Sequence, residues 1–278
     1  MELFELKNKS VLITGSSRGI GKSIAWQCAK AGAKVIISSR KYDVCEATAK
    51  EINNDIGGDV AFPIACNISD KDQLANLVIQ SKELIGQIDV LVCNAASNPH
   101  MGSSLEISEE AFDKIINNNI KSNHLLCNLV LPEMIERKDG VIIIISSIGG
   151  FRGNSIIGTY AMTKAADMAL ARNLAVEFGQ HNIRANTIAP GLIKTDMAKA
   201  LWENPDILKS VTATNPMRRI GEPDEIGGIA VMLASKAGSY INGQTIVADG
   251  GSTISGSVSY THLRAHETRE DRVWRLGR

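Results

Sequence analysis

The sequence has 278 residues, of which 44% are apolar and 22% are charged, so it can bury the core of a globular domain. Its 30 basic residues balance 30 acidic ones, which gives no reason to expect nucleic acid or an anionic membrane as a partner. No stretch approaches the roughly 20 apolar residues of a transmembrane helix, and the five cysteines are scattered without a C-x-x-C pair. We therefore expect no membrane span, no disulfide framework, no metal site and a cytoplasmic compartment.

Short apolar runs alternate with segments of helical period along residues 7–251. The runs are typical of strands buried on both faces, and in chain order they are SVLITG, KVIISS, DVAFPIAC, IDVLVCNAA, GVIIIISS, IRANTIAPG and QTIVADGG. Strands that alternate with helices build a parallel sheet with helices on both faces. We predict an α/β fold, a single doubly wound Rossmann domain over residues 1–256 with seven parallel strands.

A glycine-rich turn, GSSRGIG, follows the first strand and opens the first helix. Gly15, Gly19 and Gly21 would let the chain turn tightly and let backbone N–H groups approach a pyrophosphate at the helix N-terminus. Glycine turns are common, but a dinucleotide-binding fold predicts one at this position, after the first strand of an α/β series.

The second strand ends in SSRK, where NAD sites usually place an acidic side chain. Ser39 stands at that position, Arg40 follows it, and Arg18 lies inside the glycine turn. Two guanidinium groups and a hydroxyl suit a 2′-phosphate, which arginine binds through paired, charge-assisted hydrogen bonds. The sequence therefore favours NADP(H) over NAD(H).

Further short motifs follow along the chain. In order they are T-G-x-x-x-G-x-G at 14–21, N-A-A at 94–96, Asn119, Ser147, Y-x-x-x-K at 160–164, and Pro190-Gly191 with Thr195. Each motif is short, but their joint order and spacing is specific. On these motifs, residues 7–253 resemble the short-chain dehydrogenase/reductase family.

The resemblance implies an enzyme that interconverts a ketone or aldehyde and an alcohol by hydride transfer, with Tyr160 as general acid/base. It also implies that Ser147 holds the substrate oxygen, and that Asn119 holds a water linking Lys164 to solvent. Lys164 would bind the nicotinamide ribose and favour the ionised form of Tyr160. A lysine four residues after a tyrosine lies on the same face of a helix, so its charge can act on the phenol. Ser146 would point to the other side of its strand.

The same resemblance assigns the cofactor site. The residues expected to contact NADP(H) are Gly15, Ser17, Arg18, Gly19, Ile20, Gly21, Ser39, Arg40, Asn67, Ile68, Asn94, Ala95, Tyr160, Lys164, Pro190, Gly191, Ile193 and Thr195. Two positions depart from the family pattern: Cys93 replaces the first asparagine of N-N-A-G, and Asn67 stands where many members have aspartate. An amide oxygen still accepts a hydrogen bond, so we expect at most a modest change in affinity.

The phrases NAASNP and YAMTKAA are most similar to NADP-dependent carbonyl reductases, with 3-oxoacyl carrier-protein reductases as near neighbours. The substrate pocket should be framed by 98–100, 149–157 and 192–219. Apolar side chains there favour a substrate with a hydrophobic body, and they are Ile156, Ile157, Leu192, Met197 and Leu201. Segment 192–219 is longer than a crossover needs, so we expect either a mobile lid over the site or a fixed helical hairpin.

Members of the family are usually tetramers, built with the long helix that carries Tyr160 and with the final strand, and the resemblance therefore implies a homotetramer. The helix YAMTKAADMALARNLAVEFG carries many small alanines, which would let a second such helix approach closely. Residues 257–278 are rich in arginine, lack either period and are similar to a translated sequencing adapter, so we predict a non-native, disordered tail there.

Two alternatives stay open. A 3-oxoacyl carrier-protein reductase would favour a basic patch at the pocket mouth, which Arg152, Arg218 and Arg219 could supply. A non-catalytic, nucleotide-binding scaffold on the same fold would tolerate loss of the serine, tyrosine or lysine, and all three are present.

Overall fold

The computed structural model describes residues 2–255, and the tail predicted at 257–278 lies outside them. Within the described residues the strands are β1 (Ser10–Thr14), β2 (Lys34–Ser39), β3 (Ala61–Ala65), β4 (Val90–Cys93), β5 (Gly140–Ile145), β6 (Ile183–Pro190) and β7 (Thr245–Ala248). They form one sheet in the order β3-β2-β1-β4-β5-β6-β7, and every neighbouring pair is parallel. The predicted seven-stranded, doubly wound sheet is confirmed.

Helices connect these strands. They are α1 (Gly19–Lys30), α2 (Tyr42–Ile56), α3 (Lys71–Ile85), α4 (Glu109–Ile116), α5 (Ser122–Arg137), α6 (Gly158–Phe178), α7 (Lys199–Trp202), α8 (Pro205–Thr214) and α9 (Pro223–Ala234). The Asp70 carboxylate caps α3 by accepting from the N–H groups of Asp72 and Gln73. Gly57, at a φ of 81°, ends α2 in the left-handed conformation. Over residues 2–255, no helix combines the length and apolar character needed to cross a membrane.

The core lies on both faces of the sheet because the central strands are apolar on both sides. On one face Ile13 packs in a cluster with Ile24 of α1 and Ile226 of α9. On the other face Leu12 packs in a cluster with Leu126 of α5. All five side chains are 0–1% exposed, and burying each stabilises the fold by about 1.5–3 kcal/mol. The two apolar layers hold the strand ends rigidly in place.

The sheet changes its direction of growth between β1 and β4. These strands pair directly, with Val11 opposite Val90, although β2 and β3 lie between them in the chain. At such a switch point the crossover connections leave to opposite sides, so a crevice opens outside the carboxyl ends of the strands. The glycine turn follows β1 at this crevice.

Segment 192–219 contains a 3-10 turn (Asp196–Ala198) followed by α7 and α8. Its base is fastened by a bridge between Ile193 and Gly221, where Lys194 N–H donates to the Gly221 carbonyl at 2.9 Å. The Trp202 indole Nε1 donates to the Thr195 carbonyl at 2.8 Å. The segment is therefore helical and anchored at its base, and its mobility stays a prediction.

Candidate active site

The glycine turn forms a tight cradle at the start of α1. Gly15 and Gly19 have φ angles of 66° and 56°, in the left-handed region that favours glycine. A Cβ on Gly21 would overlap the Gly15 carbonyl oxygen, so that position also requires glycine. No side chain caps the first turn of α1, which leaves its N–H groups available to an anion.

Asn94 joins the end of β4 to the glycine turn. Its Nδ2 donates to the carbonyl oxygens of Thr14 and Gly15, each at 2.9 Å. In return the Thr14 Oγ1 accepts from the N–H groups of Asn94 and Ala95 at 3.1 and 3.2 Å. These four bonds fix the floor of the crevice at the switch point.

Cationic side chains lie at the end of β2. Arg40 and Lys41 are exposed there, and the neighbouring Ser39 Oγ lies 3.1 Å from the Cys45 Sγ. Arg18, across the cleft in the glycine turn, lies 3.6 Å from the Asp196 carboxylate. This end of the cleft is therefore lined by one hydroxyl and three cationic side chains, those of Ser39, Arg18, Arg40 and Lys41.

Asn67 and Ile68 follow β3 beside the same cleft. The Asn67 N–H donates to Gln73 Oε1 at 2.9 Å, and the Asn67 Oδ1 accepts weakly from Ser69 N–H at 3.3 Å. The amide oxygen keeps a second lone pair for a ligand.

Two adjacent serines leave β5 in opposite directions. Ser146 is 4% exposed, and its Oγ donates to the Lys164 carbonyl at 2.7 Å. Ser147 lines the cleft, and its Oγ accepts from Gly149 N–H at 3.0 Å. Ser147 thus keeps its hydroxyl hydrogen for a group in the cleft, whereas Ser146 ties the strand to α6.

Tyr160 and Lys164 lie one turn apart on α6, and both line the cleft. The Lys164 Nζ is 5.6 Å from the centre of the Tyr160 ring. The ammonium is buried, and it donates to the Ile145 carbonyl at 2.8 Å and to the Asp167 carboxylate at 2.9 Å. Burial opposes charge on Lys164, but the nearby charges of Asp167 and Tyr160 outweigh it and hold the pKa of Lys164 above its usual value.

Asn119 lies in a π-helical turn, Asn117–Lys121, between α4 and α5. Such turns re-aim side chains and are frequent at functional sites. The buried Asn119 amide donates to the Ser97 carbonyl at 3.0 Å and the Thr163 hydroxyl at 3.1 Å, and it accepts from Ser97 N–H at 2.8 Å. It therefore braces the loop after β4 against α6 and makes no direct contact with Lys164.

The segment after β6 closes the other side of the crevice. Gly191 N–H donates to the Ala248 carbonyl at 2.9 Å, and a Cβ on Gly191 would lie 2.9 Å from Asp249. Thr195 lies against the glycine turn, 3.3 Å from the position of a Cβ on Gly19. The segment thus faces the cradle directly.

One cleft of about 1100 Å³ connects these parts. Most of the predicted site residues line it, and they are Gly15, Ser17, Arg18, Gly19, Ile20, Ser39, Arg40, Asn67, Ile68, Asn94, Ala95, Ser147, Tyr160, Lys164, Pro190, Gly191, Ile193 and Thr195. Gly21 and Asn119 stand behind the lining and shape it. A cradle at one end, open N–H groups and an extended cleft together fit a dinucleotide.

Two of the predicted borders of the substrate end are 149–157 and 192–219, and only the second contributes residues to the cleft lining. Leu192 and Met197 line the cleft there, whereas 98–100, Ile156, Ile157 and Leu201 lie outside its lining. Both borders are fastened to the turn after β7. Arg152 donates to the Ser252 carbonyl at 2.7 Å, and the Asn215 amide donates to the Asp249 carbonyl at 2.8 Å and to Ser252 Oγ at 2.9 Å.

The motif analysis missed Asp167, its partner Asn123 and the cleft-lining Lys41. Asp167 lies three residues after Lys164 on the same helix, a spacing that places side chains together. Lys41 directly follows Arg40 in the sequence. Asn123 had no sequence signal, since it meets Asp167 only through the packing of α5 on α6.

Comparisons with known proteins identify the family. A family model described as "Enoyl-(Acyl carrier protein) reductase" matches residues 15–253. A curated relative, dehydrogenase/reductase SDR family member 4 of Bos taurus, is 40% identical over 250 residues, which is 89% of this chain and 88% of the relative.

Two solved structures share the fold over nearly their whole length. A gluconate 5-dehydrogenase from Burkholderia cenocepacia in complex with NADP and tartrate has a TM-score of 0.87 at 29% identity, covering 92% of this chain and 99% of the other. A 7α-hydroxysteroid dehydrogenase complexed with NADH and 7-oxo glycochenodeoxycholic acid has a TM-score of 0.85 at 35% identity, covering 90% and 96%. The chain therefore belongs to the short-chain dehydrogenase/reductase family of oxidoreductases.

Proposed function

We propose that this protein is an NADP(H)-dependent oxidoreductase that interconverts a ketone or aldehyde and an alcohol. One observation carries the proposal. A single cleft is lined at one end by the glycine turn and at the other by Ser147, Tyr160 and Lys164. A nicotinamide dinucleotide seated on the turn would extend along the cleft toward the tyrosine.

The site residues suit acid/base catalysis at a carbonyl oxygen. A bound nicotinamide supplies or accepts the hydride. The Ser147 hydroxyl donates to the substrate oxygen, and the Tyr160 hydroxyl gives that oxygen its proton during reduction. The Lys164 ammonium, 5.6 Å from the ring, stabilises the phenolate that remains. In alcohol oxidation the same phenolate takes the proton back.

The preference for NADP(H) rests on charge at the end of β2. Arg40, Lys41 and Arg18 line the cleft around Ser39, and guanidinium groups bind phosphate through charge-assisted pairs. The titles of the solved relatives name both NADP and NADH, so the family alone does not decide between the two cofactors. The local cations favour the phosphorylated form.

The substrate end supports a ligand with a hydrophobic body. Leu192 and Met197 line it, and Met197 is 64% exposed and so available for contact. Burying such side chains against an apolar ligand is favourable at about 25 cal/mol per Å².

A cofactor-oxidation screen tests the function. We expect NADPH consumption with hydrophobic ketones or aldehydes, weaker consumption with NADH, and loss of turnover by at least about a thousand-fold in Tyr160→Phe with NADPH binding retained. Tyr240→Phe is the matched control, since Tyr240 is fully exposed and away from the cleft. Near-normal reduction by Tyr160→Phe would overturn the acid/base assignment. If the unaltered chain binds NADPH but turns over no substrate in the screen, the result would instead support a scaffold.

A 3-oxoacyl carrier-protein reductase is the second candidate. The description of the matching family model names an enoyl carrier-protein reductase, which shares the carrier-bound acyl group with this candidate but reduces a C=C bond instead of a ketone. Internal contacts of the three arginines weigh against a free basic patch. Arg219 pairs with both Glu225 oxygens at 2.6 and 2.7 Å, Arg218 donates to the Ala213 carbonyl, and Arg152 donates to Ser252. Faster turnover of an acyl thioester than of any free ketone in the screen would decide for this candidate.

We also propose a homotetramer in a cytoplasmic compartment. Apolar side chains on the outer face of α6 support the assembly, since Met162 is 49% and Val176 87% exposed. Free cysteines throughout the described chain are compatible with a reducing compartment.

A further inference from the structure

A carboxylate lies buried behind the Tyr160–Lys164 pair. Asp167 is 1% exposed and Lys164 is 2% exposed. The Lys164 Nζ donates to Asp167 Oδ2 at 2.9 Å, and the Asn123 Nδ2 donates to Asp167 Oδ1 at 2.9 Å. Each carboxylate oxygen therefore has one donor, and the group is held from both α5 and α6.

The contacts of Lys164 set the direction of its ammonium. A lysine has three N–H donors. One of them goes to the Ile145 carbonyl and another to Asp167. The third remains for the cleft, which the Tyr160 side chain also lines. The bonds to Asp167 and Ile145 thus direct the third N–H and the positive charge of Lys164 toward the cleft.

Asp167 also offsets the cost of burying that charge. Burial alone would lower the pKa of Lys164, and the negative charge of Asp167 is the largest opposing effect. Burial holds the pKa of Asp167 above its usual value, although the bonds from Lys164 and Asn123 act to lower it. The carboxylate and the ammonium therefore depend on each other.

The other titratable groups that face this pair are few. They are Tyr160 on α6, Cys93 at the end of β4 and Cys127 beside it on α5. The Cys127 thiol and burial raise the pKa of Cys93 well above its usual value, so Cys93 is uncharged near neutral pH. The compensating charge for Lys164 thus comes from Asp167.

We propose that Asp167 is a positioning residue, whose carboxylate keeps the Lys164 ammonium charged and aimed at Tyr160. The inference rests on the proposed function, because it assigns Asp167 a part in the acid/base step. Without the carboxylate, burial favours the neutral amine of Lys164. A neutral amine no longer stabilises the phenolate, so Tyr160 ionises at higher pH. Alcohol oxidation, which uses the phenolate, then begins at higher pH.

The pH profile of alcohol oxidation in Asp167→Asn tests this. We expect the rising limb to move up by at least about one pH unit and kcat at neutral pH to fall about ten-fold, with a smaller change in KM. Asp167→Glu keeps the charge and should restore most of the profile. Glu177→Gln, which removes an exposed carboxylate from the far end of α6, should leave it unchanged. A limb that stays in place or moves down in Asp167→Asn overturns the proposal.

A second measurement does not depend on turnover. Ultraviolet difference titration of the cofactor-free chain against its Tyr160→Phe variant isolates the tyrosinate signal of Tyr160. Its midpoint should rise in Asp167→Asn, and an unchanged or lower midpoint contradicts the inference. If the screen finds no turnover, the proposed function fails while this titration still decides on Asp167.

Asn123→Ala covers the case in which Asp167→Asn does not fold. The substitution removes the second donor to Asp167, together with the bond from the same amide to the Asn119 carbonyl at 2.8 Å, and it leaves the charges in place. We expect the midpoint of Tyr160 to move up by a smaller amount than in Asp167→Asn. A midpoint equal to that of the unaltered chain, in a variant with a normal circular dichroism spectrum, counts against the proposal.

Discussion

Two serines that are adjacent in the sequence have different roles at this site. Ser146 and Ser147 both border the cleft, yet the Ser146 hydroxyl donates to the backbone of α6, whereas the Ser147 hydroxyl accepts from Gly149 N–H and keeps its hydrogen for the cleft. The reason is the alternation of side chains along β5, which continues to the strand exit. Position on the strand, rather than residue type, thus separates the structural serine from the proposed catalytic one.

Arg40 allows a test of cofactor choice at a single residue. Removing its guanidinium in Arg40→Ala deletes charge-assisted hydrogen bonds to a 2′-phosphate, which are worth about 1.5–3 kcal/mol. We expect KM for NADPH to rise about ten-fold or more and KM for NADH to change little, as measured by initial rates with each cofactor.

The control is Lys34→Ala, which removes a positive charge from the other end of β2. It should leave both KM values near those of the unaltered chain. Equal increases in KM for NADPH and NADH after Arg40→Ala would show that Arg40 does not read the 2′-phosphate.

At the scale of elements, segment 192–219 differs from the rest of the domain. Its helices α7 and α8 contain no buried residue, whereas α9 buries six. The segment is fastened at its two ends, through the bridge between Ile193 and Gly221 and through the bonds of Asn215 to the turn after β7. Elements with few buried contacts open at low free energy, which is what a lid requires.

Trp202→Phe tests what holds segment 192–219 in place. The change keeps an aromatic ring but removes the indole donor to the Thr195 carbonyl, a bond worth about 1 kcal/mol. We expect amide exchange in 199–214 to accelerate about five-fold, measured by hydrogen exchange with mass spectrometry. Trp26→Phe is the matched control, because it removes an indole bond of the same kind, to Asp55 on α2. Exchange unchanged in Trp202→Phe would show that other contacts hold the segment.

Most elements could be predicted from the sequence because their signals are local. Each of the seven strands lies within an apolar run, and the glycine turn falls where its spacing places it. The bracing of Asn119 by Ser97 and Thr163 could not be predicted, since the three residues come from separate segments. The ion pair of Lys164 with Asp167 had a local spacing signal, but only packing shows that both groups are buried.

At the scale of the whole molecule, the chain leaves apolar side chains at its surface. Val176 is 87% exposed near the end of α6, and Val247 is 39% exposed on the edge strand β7. Both elements are the ones expected to build the proposed tetramer. Covering such side chains on assembly is favourable.

Val176→Glu tests this assembly. A charge placed in an apolar contact between copies is costly to bury, so we expect light scattering to show a shift from tetramer toward smaller species. Leu105→Glu is the control, because Leu105 is 96% exposed on a loop outside α6 and β7. A tetramer that persists in Val176→Glu would place the interface elsewhere, and a monomer in the unaltered chain would contradict the tetramer itself.

The turn after β7 has a consequence for selectivity. Ser252 accepts from Arg152 of one pocket border through its carbonyl and from Asn215 of the other through its hydroxyl. A ligand that displaces one border would therefore pull on Ser252, the residue to which the other border is also bonded. Substitutions on the two borders should then be energetically coupled rather than additive. The size of substrate that the pocket accepts would then depend on both borders together, because Ser252 links them from outside the cleft lining.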